Sequence, residues 1–136
     1  MRAHFLISIF LTFCCVSAFG AKLESSDTEL ATKLIGTWTL SPTDPLTNKL
    51  SGDITYKNDS SCEGVIFIKH SGETTRWEFS GNWKIEKSRL ITTATKTNVP
   101  DLGPVGRVTS IRIDHITEKE LVLVQDDGKR YVRIRK

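Results

Sequence analysis

The sequence predicts an all-β domain: a single antiparallel meander β-barrel of about eight strands, preceded by a short helix. Three observations predict it. Residues 75–85, TRWEFSGNWKI, alternate strictly, with Thr75, Trp77, Phe79, Gly81, Trp83 and Ile85 on one parity and Arg76, Glu78, Ser80, Asn82 and Lys84 on the other. A period of two describes a strand dry on one face and wet on the other, which belongs to an antiparallel sheet or barrel. Around it lie further short β-rich runs, separated by the turns KNDSS, HSGE, EKS and DDG. Such short connections make consecutive strands antiparallel neighbours. Finally, the helical period disappears after residue 35.

The chain divides into residues 1–20, 21–33 and 34–136. In the first segment Arg2 precedes the apolar run FLISIFLTFCCV, and Ala18 and Gly20 supply small residues at −3 and −1. That pattern predicts a secretory signal cleaved after Gly20, and hence a periplasmic or secreted product. The run is shorter than the roughly 20 residues that span a bilayer. Cys14 and Cys15 follow Phe13 and Cys14, not the small residue that precedes a lipid-modified cysteine, so lipoprotein anchoring is not expected.

The second segment, 21–33, is a linker with a short helix. SSDTELATKLIG opens on capping residues, and Leu30, Leu34 and Ile35 follow at helical spacing. The third segment carries the strands, expected at 35–40, 52–57, 62–69, 75–85, 89–97, 107–114, 119–125 and 129–135. Gly81 interrupts the apolar row of the longest strand, where glycine marks a bend of the kind a small barrel needs to close. Two connections are long, 41–51 and 98–106, and the second has an apolar tip at Leu102. Long loops on a rigid scaffold are where function tends to sit.

Composition excludes several function classes. The net charge of +3 falls to +2 once Arg2 is removed with the signal, too small an excess to predict nucleic-acid binding. No stretch after residue 20 is apolar and long enough to span a membrane. With Cys14 and Cys15 removed, Cys62 stands alone and no intrachain disulfide can form. His70 and His115 lie in no nucleophile motif and at no metal-ligand spacing, so no catalytic residue, metal or cofactor is expected.

LIGTWTL (34–40) and FSGNWKI (79–85) both place a Trp two positions after a Gly. Their flanks do not repeat over any longer period, so duplication is not supported. Gly36-Thr37-Trp38, leading the first strand out of a capped helix, resembles the Gly-X-Trp of lipocalin-like (calycin) proteins. GNWKIEKSRLITT and LVLVQDDGKRYVRIRK resemble the mid-domain and closing hairpins of the small bacterial members.

The resemblance implies that Trp38 plugs the barrel base under a late-strand arginine, Arg133 or Arg135. Gly36, Trp38, Gly81 and Arg133 are accordingly the expected structural motif. By hydropathy alone, the last strand turns Val132 and Ile134 inward and Arg133 and Arg135 outward. The candidate cavity-lining residues are Phe67, Trp77, Phe79, Trp83, Ile111 and Ile113.

Together these readings predict a non-catalytic exported protein enclosing a small apolar or amphipathic ligand of the lipid or fatty-acid class. The alternative is a filled barrel acting as an interaction module or inhibitor on another exported or envelope protein. A barrel of this size can hold one small ligand or simply fill itself with side chains.

Overall fold

The structure, a computed structural model, describes residues 25–40 and 49–136. The expected signal, the start of the 21–33 segment and most of the 41–51 connection lie outside the described residues. Helix α1 spans Asp27–Leu34. Eight strands follow: β1 Gly36–Leu40, β2 Leu50–Tyr56, β3 Ser61–His70, β4 Glu73–Glu86, β5 Arg89–Thr97, β6 Val108–Ile116, β7 Glu120–Val124 and β8 Arg130–Arg135. They close into a barrel in chain order, each antiparallel to the next, with β8 returning to pair with β1. The fold is the predicted all-β meander barrel, and all eight strands fall close to their expected places.

The strand ends define a floor and a mouth. At the floor lie α1, the start of β1, the β2–β3, β4–β5 and β6–β7 turns, and the C-terminus. The mouth carries the β3–β4, β5–β6 and β7–β8 connections. α1 covers the floor. Its N-cap is Ser26, whose hydroxyl accepts from the Glu29 amide at 3.2 Å. Leu30 and Leu34 are buried against the barrel, but Ile35 has left the helix and is 38% exposed. Asp27 ties the helix to the β4–β5 turn, accepting from the amides of Lys87 and Ser88 at 2.8 Å each. Both turn residues have positive φ, which suits the twist of a two-residue hairpin.

The floor is plugged by Trp38, which is fully buried. Its indole Nε1 donates to the Leu34 carbonyl at 2.8 Å, and the guanidinium of Arg135 lies 4.2 Å above its ring. Arg135 then spends its donors on backbone carbonyls: Lys33 at 2.6 Å, Ile35 at 2.9 Å and Glu118 at 2.9 Å. Two of these acceptors lie at the end of α1, where carbonyls lack helical partners and attract cations. Gly36 sits at φ +135°, and a Cβ there would come within 2.6 Å of Arg135 Nη1. Only glycine allows the guanidinium to lie across this site.

The bend expected at Gly81 is present. β4 and β5 shift register between Ser80 and Gly81, and a Cβ on Gly81 would run into the Thr93 carbonyl.

The orientation of β8 differs from the hydropathy expectation. Trp38 pairs with Arg135 and Leu40 with Arg133. Directly opposed residues of an antiparallel pair share a face, so with Trp38 inside, Arg133 and Arg135 are inside too. Ile134 is correspondingly 43% exposed. Arg135, not Arg133, covers Trp38, which reassigns the structural role expected of Arg133.

The closure predicts a specific stability effect. Arg135→Ala removes three charge-assisted bonds and one cation–π contact, and urea unfolding should show a loss of about 2–4 kcal/mol. Arg135→Lys should recover only part of it, because an ammonium cannot reproduce the planar fork. An Arg135→Ala variant as stable as the natural chain would contradict this role.

Candidate ligand-binding cavity

The barrel interior is filled at the floor and hollow towards the mouth. Trp38, Leu121 and Leu123 are fully buried, and Trp83, Leu90, Ile113 and Ile116 complete the packed layer. Trp83 meets Tyr56 edge-on at 5.9 Å and donates to the Lys57 carbonyl at 3.0 Å. Above this layer lies a cavity of about 550 Å³.

The walls of the cavity are mostly apolar. They include Leu40 and Leu50, Ile54, Ile66 and Ile68, and the aromatic pair Trp77 and Phe79. The last two rings stack tilted, 4.8 Å between centroids. The 98–106 connection folds over the mouth, so that Leu102 and Gly103 join the lining. Gly103 lies flat on the Trp77 indole, where a Cβ would come within 2.8 Å of Cζ2.

That connection is tied down at both ends. Trp77 Nε1 donates to Thr97 Oγ1 at 3.0 Å, and the same hydroxyl accepts from the Val99 amide. Asn98 bridges to β4, accepting from the Glu78 amide and donating to the Arg76 carbonyl. At the far end Arg107 donates to the Leu102 carbonyl at 3.2 Å.

Polar side chains join the lining at both ends of the cavity. Arg133 reaches in from β8 and donates through Nη1 to the Tyr56 hydroxyl at 2.6 Å. Its Nε is buried and, among the described residues, has no hydrogen-bond partner. Tyr131, Gln125, Thr92 and Thr109 also face the space, and no described Asp or Glu does. Cys62 lies in the wall beside this group. Burial pushes its thiol above the usual cysteine range, against the opposing pull of the Arg133 charge.

The structure separates the six candidate lining residues. Trp77 and Phe79 line the cavity. Trp83 and Ile113 belong to the packed floor, and Ile111 packs against that core without bordering the space. Phe67 is on the outer wall, 37% exposed. The inward row of β3 is Cys62, Gly64, Ile66 and Ile68; CEGVIFIK is apolar on both parities, so its sequence could not settle which row faced in. Tyr56, Cys62 and Arg133 are the lining residues that hydropathy missed, and only the cross-strand register places them.

Among the described residues, no other region gathers comparable chemistry. A depression of about 460 Å³ on the outer wall is bordered by Asp53, Glu63 and Glu78. Those acids already pair with Lys136, Lys57 and Arg76 at 2.6, 3.2 and 2.5 Å. His115 is held outside the barrel by Glu120 and Asp114, at 3.0 and 3.1 Å. Glu120, with help from Asp114, raises its pKa, so it is an ion-paired surface group. Among the described residues, no group of His, Cys, Asp and Glu is placed to hold a metal ion. No described helix is long and apolar enough to cross a membrane.

With this geometry in hand, comparison with known proteins adds one finding. The structure of a lipocalin-like protein from Bacteroides uniformis superposes with a TM-score of 0.53, covering 76% of this chain and 99% of that one at 15% identity. The fold is lipocalin-like. An uncharacterized protein from Bacteroides eggerthii matches with a TM-score of 0.48, at 14% identity over 76% of this chain and 99% of that one. No family model matches the chain, and no curated protein matches it.

The buried thiol supplies a direct check on the cavity wall. With its pKa raised, Cys62 should react with an aromatic disulfide at pH 8 far more slowly in the native protein than in urea. Equal rates in the two states would show that Cys62 is not enclosed.

Proposed function

We propose that the chain is a non-catalytic exported binding protein that encloses one small apolar or amphipathic molecule, of the lipid or fatty-acid class, in the upper half of its barrel. The observation that carries this reading is the cavity of about 550 Å³ with its apolar walls. Ligand pockets usually measure roughly 300–1,000 Å³ and are mostly apolar with a few placed polar groups. Each methylene moved from water into such a space contributes about 0.8 kcal/mol, which is enough for an alkyl chain to bind.

Export is supported by the pattern of residues 1–20, with Arg2 before the apolar run and Ala18 and Gly20 at its end. The non-catalytic reading is supported by Cys62, whose thiol burial pushes above the usual cysteine range and which, among the described residues, has no histidine beside it: His115 faces outward and His70 is exposed at the end of β3. The role of the 98–106 connection follows from its position. Leu102 and Gly103 border the mouth beside Trp77, so that segment helps to shape the entrance to the cavity.

A second reading, an interaction module, has one observation in its favour. Val105 and Val108 stand 64% and 60% exposed beside the mouth, an apolar rim that another exported or envelope protein could cover.

The container reading is tested by intrinsic fluorescence during titration with dodecanol, a neutral amphiphile. The expected result is a saturable change at one equivalent that is lost in Trp77→Phe, because Trp38 and Trp83 lie in the packed floor. Native mass spectrometry should show the matching one-to-one complex. Absence of any saturable change and of any complex, with dodecanol and with charged amphiphiles alike, would overturn it.

A further inference from the structure

We infer that His115 is a proton-dependent latch on the outer wall. Protonated, it bridges Asp114 and Glu120 and holds the β6–β7 hairpin closed; deprotonated, it lets that hairpin, and the floor closure attached to it, loosen. The inference is independent of what the cavity holds.

The geometry around the ring selects a protonation state. Nδ1 lies 3.1 Å from Asp114 Oδ2, and Nε2 lies 3.0 Å from Glu120 Oε1. An ionised carboxylate only accepts hydrogen bonds, whereas a neutral imidazole carries one N–H and one lone pair. The neutral ring therefore satisfies one of the two contacts and turns a lone pair on the other oxygen. Imidazolium, a donor at both nitrogens, makes both bonds. The backbone builds this arrangement. β6 and β7 shift register between Ile113 and His115, which sets His115 opposite Val122. Such a bulge re-aims side chains, and here the sequence neighbours Asp114 and His115 meet outside the barrel.

The charges around the ring come from three strands. Arg112 and Asp114 belong to β6, Glu120 to β7 and Arg130 to β8. Arg130 pairs with Asp114 at 3.1 Å and Arg112 with Asp114 at 3.8 Å, so two cations hold that carboxylate in place. The hydrogen bond to Glu120 raises the pKa of His115, burial opposes it, and Asp114 adds to the rise. The bond from His115 in turn lowers the pKa of Asp114.

The latch lies beside the closure of the barrel. Between His115 and Glu120 runs the β6–β7 turn, where the Thr117 amide donates to the Glu120 carbonyl at 2.8 Å. The Glu118 carbonyl of this turn accepts from Arg135 Nε at 2.9 Å, and the Lys119 carbonyl accepts from the Arg135 amide at 2.8 Å. A hairpin bridged by His115 and Glu120 holds both carbonyls in position for Arg135. Loss of the bridge frees the turn that carries them.

A histidine whose pKa rises on folding stabilises the fold fully below its unfolded value, about 6.5. That contribution is lost as pH rises through the folded value. The latch is therefore closed in mild acid and open in mild alkali.

The test follows the His115 ring by NMR in the natural protein and compares urea unfolding with His115→Gln, which cannot ionise, at pH 6 and pH 8.5. The folded imidazole should titrate at a higher pH than the same ring in the urea-unfolded chain. Between the two pH values the unfolding constant of the natural protein should rise about two- to fivefold relative to that of the variant, the scale of an exposed ion pair. Glu120→Gln should flatten the profile in the same direction. Amide exchange at Thr117 and Arg135, corrected for the intrinsic effect of pH, should speed up in the natural protein and not in His115→Gln.

Titration of the folded and unfolded rings at the same pH would overturn the latch. So would a stability profile that His115→Gln leaves unchanged. Exchange at Thr117 and Arg135 that does not respond to pH would sever the latch from the floor and overturn the inference as stated. The NMR titration needs no variant, so it decides the matter even where a substitution impairs folding.

Discussion

The barrel depends on the closure at its floor, where Arg135 lies over Trp38 and holds the end of α1. A meander of eight strands has two free edges until its first and last strands meet. Here that meeting is secured by Trp38 opposite Arg135, by the guanidinium above the indole, and by its bonds to the carbonyls of Lys33, Ile35 and Glu118. One side chain thus connects the helix, the first strand, the last strand and the β6–β7 turn. The Trp38 indole reciprocates by bonding the Leu34 carbonyl, so the helix end is satisfied from inside the barrel as well.

That closure also determines the chemistry of the interior. Because side chains alternate along a strand, fixing Arg135 inside fixes Arg133 and Tyr131 inside as well. A slip of one residue would exchange them for Val132 and Ile134 and make an ordinary apolar core. The register that seals the floor is therefore the register that places a cation in the cavity above it. Structural plug and candidate site are consecutive inward positions of one strand.

Legibility in the sequence followed the same logic. TRWEFSGNWKI could be read because its inner row is apolar and its outer row charged, so alternation told inside from outside. Gly81 was legible as a bend, and the capped helix and Trp38 as a plug. CEGVIFIK was ambiguous because Val65 and Phe67 rival Ile66 and Ile68, and Phe67 was placed on the wrong face. KRYVRIR was misread more completely, since its inner row is the polar one. Hydropathy assigns polar residues outward, so it fails at the positions where a protein turns charge inward for use. Only the pairing with Trp38 decides the parity, and pairing is a non-local fact. The apolar tip at Leu102 pointed to a special role for the 98–106 connection, but its seat on Trp77 needed the structure.

The barrel is filled at the floor and hollow above it. A crystal of the protein pressurised with xenon tests it most directly, because xenon enters enclosed apolar space and leaves packed cores untouched. Xenon is expected in the upper barrel, bounded by Ile66, Trp77, Phe79 and Leu102, and none beside Trp38, Leu121 or Leu123. A barrel that takes up no xenon, with side chains meeting across that space, would contradict it.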